Sequence, residues 1–113
     1  MTDTQNLLAK KCIPCEGGTA PLTIEEVSVL LPQVPDWNVS GDVKHLSKQY
    51  AFKDFANAMA FANKIAAIAE AEGHHPDLTV SWGKVGVDLS THAIGGLSEN
   101  DFILAAKIEA IQK

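Results

Sequence analysis

The chain has 113 residues, a length that indicates one domain with a modest hydrophobic core. Its 14 acidic and 9 basic residues argue against direct binding of nucleic acid, because contact with phosphates requires a basic surface. No apolar run reaches the roughly 18 residues that suggest a membrane span, and the N-terminus lacks a signal-peptide pattern. We therefore expect a cytoplasmic protein that contacts neither nucleic acid nor membrane.

Residues 1–21 are predicted to be a flexible N-terminal leader, ahead of a single domain at 22–113. Both cysteines lie in the leader, as Cys12-Ile-Pro-Cys15. Such a pair is typical of half a zinc site or of a redox pair, and His74 and His75 could supply two more zinc ligands. We favour reduced thiols and no metal, because adjacent histidines seldom converge on one tetrahedral ion. Replacing both cysteines by serine should then leave activity and stability nearly unchanged.

After the leader, the pattern predicts a short helix and then a β-hairpin. Thr23 and Glu26 have the spacing of a capping box, which places a helix at 24–31. Residues 37–52 read as two strands joined near Gly41. Lys48 interrupts the alternation, because it shares a face with apolar side chains, whereas His45 is predicted to be exposed on the opposite face.

A long helix is predicted from Phe55 to about Glu72, with Asp54 as its N-cap and Gly73 and Pro76 as its stop signal. Glu70 falls at the edge of its apolar stripe. The stripe comprises Phe55, Ala58, Met59, Ala62, Ile65, Ala66 and Ala69, widened by Phe61 and Ile68. Because this helix is apolar over more than half its circumference, we expect the protein to self-associate.

A second hairpin and a final helix complete the chain. Gly83-Lys84 is predicted to be the hairpin turn, and Ser98 is predicted to cap the last helix. The inward strand positions are Leu78, Val80 and Trp82, then Val85, Val87 and Leu89. The order of elements is therefore α-β-β-α-β-β-α, and we predict an α+β fold in which helices pack on one face of a four-stranded antiparallel sheet.

The candidate site combines histidines that lie at the ends of elements. His74 and His75 project from the end of the long helix, and His92 follows the last strand. Glu70 and Asp101 flank them, although Asp101 also has the position of the acidic half of a capping box with Ser98. Imidazoles exchange protons near neutral pH, and no nucleophile motif accompanies them, so general acid-base chemistry is predicted.

The spacing of these residues carries a family resemblance that extends over roughly residues 22 to 112. It includes Trp37, the run from Phe52 to Phe55, the runs from Leu89 to His92 and from Gly96 to Glu99, and the series Glu70, His74-His75-Pro76, Trp82, His92 and Asp101. In these residues the chain resembles the pterin-4a-carbinolamine dehydratases, also called dimerisation cofactors of a homeodomain transcription factor. Its leader resembles that of bacterial members.

The resemblance implies an activity, a site and a fold. The activity is dehydration of a 4a-hydroxytetrahydropterin, such as 4a-hydroxytetrahydrobiopterin, to the quinonoid dihydropterin, which recycles the cofactor of aromatic amino acid hydroxylases. His74, His75 and His92 would be catalytic, and Glu70 and Asp101 would be supporting acids. The pterin would be the substrate, with no metal or other cofactor. The implied fold is the same helix-covered antiparallel sheet, assembled as a homodimer or homotetramer.

Two other functions remain open at this point. The first is a non-enzymatic interaction module, because animal relatives bind the dimerisation helix of a transcription factor. The second keeps the fold and the site but acts on another pterin. A dehydration assay with the pterin carbinolamine distinguishes an enzyme from an interaction module.

Overall fold

The computed structural model describes residues 7–12 and 19–112, which form an α+β fold with the predicted order of elements. The helices and strands are α1 (Ile24–Leu30), β1 (Asn38–Val39), β2 (Leu46–Ala51), α2 (Phe55–Glu72), β3 (Asp77–Ser81), β4 (Lys84–Leu89) and α3 (Glu99–Glu109). The strands form a four-stranded antiparallel sheet in the order β1-β2-β4-β3. The predicted fold class is confirmed.

The helix ends follow the local signals in the sequence. At the start of α1, Thr23 accepts a hydrogen bond from the Glu26 N–H, and the Glu26 carboxylate accepts one from the Thr23 N–H. Asp54 caps α2 by accepting from the Asn57 N–H at 2.8 Å. Gly73 ends α2 in the left-handed conformation, with φ of 67°.

The second hairpin differs from the prediction by one residue. Ser81 pairs with Lys84, so the two-residue loop is Trp82-Gly83 and not Gly83-Lys84. The Phe52 N–H donates to the Gly83 carbonyl at 2.8 Å, which ties the loop to the end of β2. Because Trp82 belongs to the loop, it does not continue the inward face of β3, and it is 69% exposed.

Lys48, the residue that interrupts the alternation of β2, turns inward to a partner on α3. Its Nζ lies 2.9 and 3.0 Å from the two carboxylate oxygens of Glu109. Trp37 Nε1 and the Tyr50 hydroxyl donate to the same carboxylate. His45, just before β2, is partly exposed and pairs with Asp88 at 2.9 Å.

The core lies between one face of the sheet and the helices. It is formed by Leu46, Tyr50, Val85, Val87 and Leu89 from the strands and by Val27, Leu30, Ala58, Phe61, Ile65, Phe102, Ile103, Leu104, Ala105 and Ile108 from the helices. The predicted apolar stripe of α2 is only partly buried. Phe55 is 49% and Met59 37% exposed, and Ala66 is exposed as well, because the sheet and α3 cover the opposite side of α2.

Leu7–Cys12 packs on the outside of α3, and we call this segment the strap. Leu7 is 1% exposed within a short 3-10 turn, Leu7–Ala9. Flexibility of residues 1–21 stays a prediction, and Cys15 lies outside the described residues. Within 7–12 and 19–112, no cluster of His, Cys, Asp or Glu has an arrangement that could hold a metal ion, and no helix is long and apolar enough to cross a bilayer.

Candidate functional site

The end of α2 sets the directions of the two adjacent histidines. The N–H groups of Gly73 and His74 both donate to the Ala69 carbonyl, at 2.9 and 3.3 Å. This closes the helix within one turn, and the left-handed backbone at Gly73 redirects the chain. His74 then extends towards the start of α3, whereas His75 folds back beside the last turns of α2.

Asp101 is the buried centre of the site. It lies in the first turn of α3 with none of its side chain exposed, and its Oδ1 lies 2.6 Å from His74 Nε2. Its Oδ2 accepts from the Ser98 N–H at 2.9 Å and from the Thr91 hydroxyl at 2.8 Å. One oxygen of Asp101 therefore serves the helix cap and the other contacts His74, while its role as a supporting acid stays a prediction.

The contact suggests an assignment of the His74 tautomer. With Asp101 taken as an ionised carboxylate, which only accepts hydrogen bonds, we assign the donor to Nε2–H of His74 and leave Nδ1 for proton exchange. The hydrogen bonds of Asp101 replace the water that its carboxyl group loses on burial. Asp101 thus fixes the orientation of an imidazole whose side chain is 13% exposed.

His75 forms a separate and more exposed pair. Its Nε2 lies 2.6 Å from Glu70 Oε2, and the two side chains are 59% and 77% exposed. Solvent screens such a contact, so it contributes little to stability. Its effect is to orient the imidazole, and this gives the predicted supporting acid Glu70 a direct partner.

His92 follows Thr91 in the chain, and Thr91 contacts Asp101. His92 begins the 3-10 turn His92–Ile94 and is exposed, while Thr91 is 5% exposed and donates to Asp101. A backbone hydrogen bond from the Thr91 N–H to the Gly96 carbonyl, 2.8 Å long, closes the loop. Among the described residues, the hydrogen bonds connect each of His74 and His75 to an acid and do not join the three imidazoles directly.

Sequence reasoning missed two groups around Asp101. The sequence motif that contains His92 includes Thr91 without indicating a role for it, and the sequence pattern places Cys12 in the leader. Two open hollows lie elsewhere, one of about 430 Å³ beside Phe52 and one of about 670 Å³ on the polar face of the sheet around Thr79. Neither hollow is lined by a histidine. We therefore identify the candidate site by its histidine–carboxylate pairs and not by the volume of a hollow.

A family model described as Pterin 4 alpha carbinolamine dehydratase matches residues 20–111. The chain belongs to this family. A relative from Rickettsia bellii (strain OSU 85-389) that bears the name pterin-4-alpha-carbinolamine dehydratase is 54% identical over 99% of both chains. One from Methylococcus capsulatus with the same name is 46% identical over 96% of both chains.

Two solved structures resemble this pterin carbinolamine dehydratase family member. A transcriptional coactivator/pterin dehydratase from Brucella melitensis has a TM-score of 0.75 and 31% identity, over 80% of this chain and 96% of that chain. A pterin dehydratase-like protein described as a RuBisCO assembly factor in the alpha-carboxysome has a TM-score of 0.58 and 29% identity, over 66% of this chain and 87% of that chain. Proteins similar to this chain are thus described both as a pterin dehydratase and as an assembly factor.

Proposed function

We propose that the protein dehydrates a 4a-hydroxytetrahydropterin, with 4a-hydroxytetrahydrobiopterin as the first candidate substrate, to the quinonoid dihydropterin and water. Family membership supports the dehydratase class. The observation that carries the assignment to this site is the pair formed by His74 and the buried Asp101, because an oriented imidazole suits general acid-base catalysis. The proposal includes a cytoplasmic role in recycling the pterin of an aromatic amino acid hydroxylase.

The proposed reaction needs two proton transfers. One proton goes to the 4a-hydroxyl, the C–O bond breaks and water leaves, while a ring nitrogen loses its proton and a carbon–nitrogen double bond forms. Imidazoles can supply and accept these protons near neutral pH, so the step as proposed uses no metal and no other cofactor.

We assign the proton transfers to His74 and His92 and the positioning of the pterin to His75. Asp101 orients His74 directly, and Thr91 connects Asp101 to the residue before His92. Glu70 holds the exposed imidazole of His75, which suits a group that binds one edge of a flat ring. Which of His74 and His92 is the acid is left to the measurement of pH profiles for each variant.

The test measures dehydration of the pterin carbinolamine by the wild type and by the three single alanine variants, after subtraction of the uncatalysed rate. His74→Ala and His92→Ala are expected to lower kcat at least about tenfold, because general acid-base groups contribute about 10² to 10⁴ in rate. His75→Ala is expected to raise KM more than it lowers kcat. His45→Ala is the control, since His45 pairs with Asp88, which is not among the residues proposed to act on the pterin, and it should keep the wild-type rate.

A second candidate is a non-enzymatic interaction module, because one solved relative is described as a RuBisCO assembly factor and the other as both a transcriptional coactivator and a pterin dehydratase. Near-wild-type kcat in all three histidine variants would support this module. Activity on a different pterin, with the same response to the histidine substitutions, would instead keep the site and change the substrate.

A further inference from the structure

The strap touches the chain on both sides of the His74–Asp101 pair. The Cys12 N–H donates to Glu72 Oε1 at 2.9 Å, and Glu72 is the last residue of α2, two positions before His74. The Cys12 thiol lies 3.6 Å from the carbonyl of Asn100, the residue before Asp101. Cys12 therefore contacts both segments that carry the pair, but these two bonds do not reach the His74 imidazole or the Asp101 carboxylate.

Further contacts fix the strap along α3. Lys107 Nζ donates to the Leu8 carbonyl at 2.9 Å, and Lys10 Nζ lies 2.7 Å from Glu99 Oε2 at the start of the helix. Leu7 is 1% exposed and its N–H donates to Gln33 Oε1 at 3.3 Å. A buried apolar anchor at one end and the Cys12 contacts at the other keep the strap in register with α3.

We propose that the strap, Leu7–Cys12, is a positioning element that holds the end of α2 and the start of α3 at the separation required by the His74–Asp101 hydrogen bond. The expected effect of the strap on kcat rests on the proposed function, whereas its effect on the His74–Asp101 hydrogen bond does not.

The physical reason is that the 2.6 Å contact joins two helix ends from different parts of the chain. A shift of either end lengthens the hydrogen bond, and such bonds weaken steeply with poor geometry. The Glu72 side chain is 10% exposed, accepts from the Cys12 N–H and lies 3.6 Å from Lys107 Nζ, which itself donates to the Leu8 carbonyl of the strap. Loss of the strap should therefore loosen the pair while leaving the sheet intact.

The test compares variants that detach the strap with matched variants that do not. Leu7→Ala removes the buried anchor, and Leu8→Ala removes a neighbouring leucine that is 50% exposed. Glu72→Ala removes the acceptor for the Cys12 N–H, whereas Glu72→Gln keeps an oxygen that can accept it while losing the charge. All proteins are measured below the temperature at which circular dichroism shows the first loss of structure.

The first measurement is nuclear magnetic resonance of the imidazole N–H proton of His74, which does not depend on activity. Wild type, Leu8→Ala and Glu72→Gln are expected to show a downfield proton protected from exchange with water. In Leu7→Ala and Glu72→Ala this signal should broaden or move upfield, while the signals of His75, whose Nε2 pairs with Glu70, stay in place. A merely structural role of the strap would lower the melting temperature without this selective change at His74.

The second measurement is dehydration of the pterin carbinolamine. Leu7→Ala and Glu72→Ala are expected to lower kcat at least about fivefold, within the loss of up to about 10²-fold that a displacement of about 1 Å can cause. KM should change less, because the polar contacts of the strap end at other residues and His75 pairs with Glu70. An inactive wild type with the expected His74 signals would overturn the proposed function and keep the positioning role. An unchanged His74 signal in both detached variants would overturn the positioning role.

Discussion

His74 Nε2 and Asp101 Oδ1 lie 2.6 Å apart, and this contact joins the end of α2 to the first turn of α3. The carboxylate has no exposed surface and uses its other oxygen for Thr91 and Ser98. Asp101 therefore links helix capping to the orientation of an imidazole, so a change at this one side chain should affect folding and chemistry together.

The first prediction concerns Asp101→Asn. The amide has one oxygen, so its NH2 group faces either the Thr91 and Ser98 donors or His74 Nε2, which can accept from it only when the imidazole proton moves to Nδ1. Either orientation loses a hydrogen bond to a buried carboxylate, and we expect a loss of about 1–3 kcal/mol in the free energy of unfolding, measured by urea denaturation. Glu25→Gln, at an exposed acid in the first turn of α1, is the control and should change stability by less than about 0.5 kcal/mol. Equal stability of the two variants would contradict the prediction.

The second prediction concerns Glu109, which accepts hydrogen bonds from Trp37, Tyr50 and Lys48. Glu109→Ala removes the acceptor that these three donors share, and we expect a loss of about 2 kcal/mol, less than for a fully buried pair, because the Glu109 side chain is 33% exposed. Thermal and urea denaturation would measure it, with Glu25→Ala as the exposed control.

Glu109 also gives this effect a pH dependence. Partial burial raises the pKa of Glu109, but the hydrogen bonds from Tyr50, Lys48 and Trp37 outweigh it and hold the pKa below its usual value of 4.5. The stabilisation is therefore present above pH 4.5 and is lost as the pH falls through the lower folded-state pKa. The stability difference between wild type and Glu109→Ala should shrink in acid, and a difference that grows there would contradict this assignment.

The third prediction concerns Cys12. Burial, with the nearby negative charges of Glu72 and Asp101, raises the pKa of its thiol from 9.0 to about 12. The folded state keeps this proton where the unfolded state has lost it, so the contribution to stability is present below about pH 9 and is lost as the pH rises to about 12.

Cys12→Ser removes this titration and keeps the backbone N–H that binds Glu72. The stability of wild type should therefore fall faster than that of Cys12→Ser between about pH 9 and 12, as measured by urea denaturation at each pH. At neutral pH the two proteins should have similar activity, in agreement with the sequence prediction for the cysteines. Parallel curves throughout the alkaline range would show that the Cys12 thiol does not titrate differently on folding.

The fourth prediction is self-association as a homodimer or homotetramer. Phe55 and Met59 are one helical turn apart on α2, are 49% and 37% exposed, and form an apolar surface that a second copy could cover. Light scattering at micromolar concentration should give a mass above 12.1 kDa, and Phe55→Asp with Met59→Asp should lower it. Val29→Asp, at a residue of α1 that is 61% exposed, is the control and should keep the mass of the wild type. A monomeric wild type would contradict the prediction.

The sequence by itself determined the order of the elements, the main helix boundaries and the residues of the histidine series. These features depend on signals between residues close in the chain, such as the capping box of Thr23 and Glu26 or the stop at Gly73. The inward position of Lys48 was visible as a break in alternation, but its partner was not. Glu109 lies 61 residues away, and only packing of α3 against the sheet brings the two together.

Only the tertiary structure decided which groups meet at Asp101 and how the strap lies. The Cys12 contacts to Glu72 and Asn100 span 60 and 88 residues, and no local pattern specifies such pairs. The loop at Trp82 was misplaced by one residue, because alternation alone permits Trp82 as a further inward position, whereas the pairing of Ser81 with Lys84 fixes it in the turn. Neighbouring residues determine the local backbone conformation. Contacts between residues that are distant in the chain form only when the helices and the sheet pack around the common core.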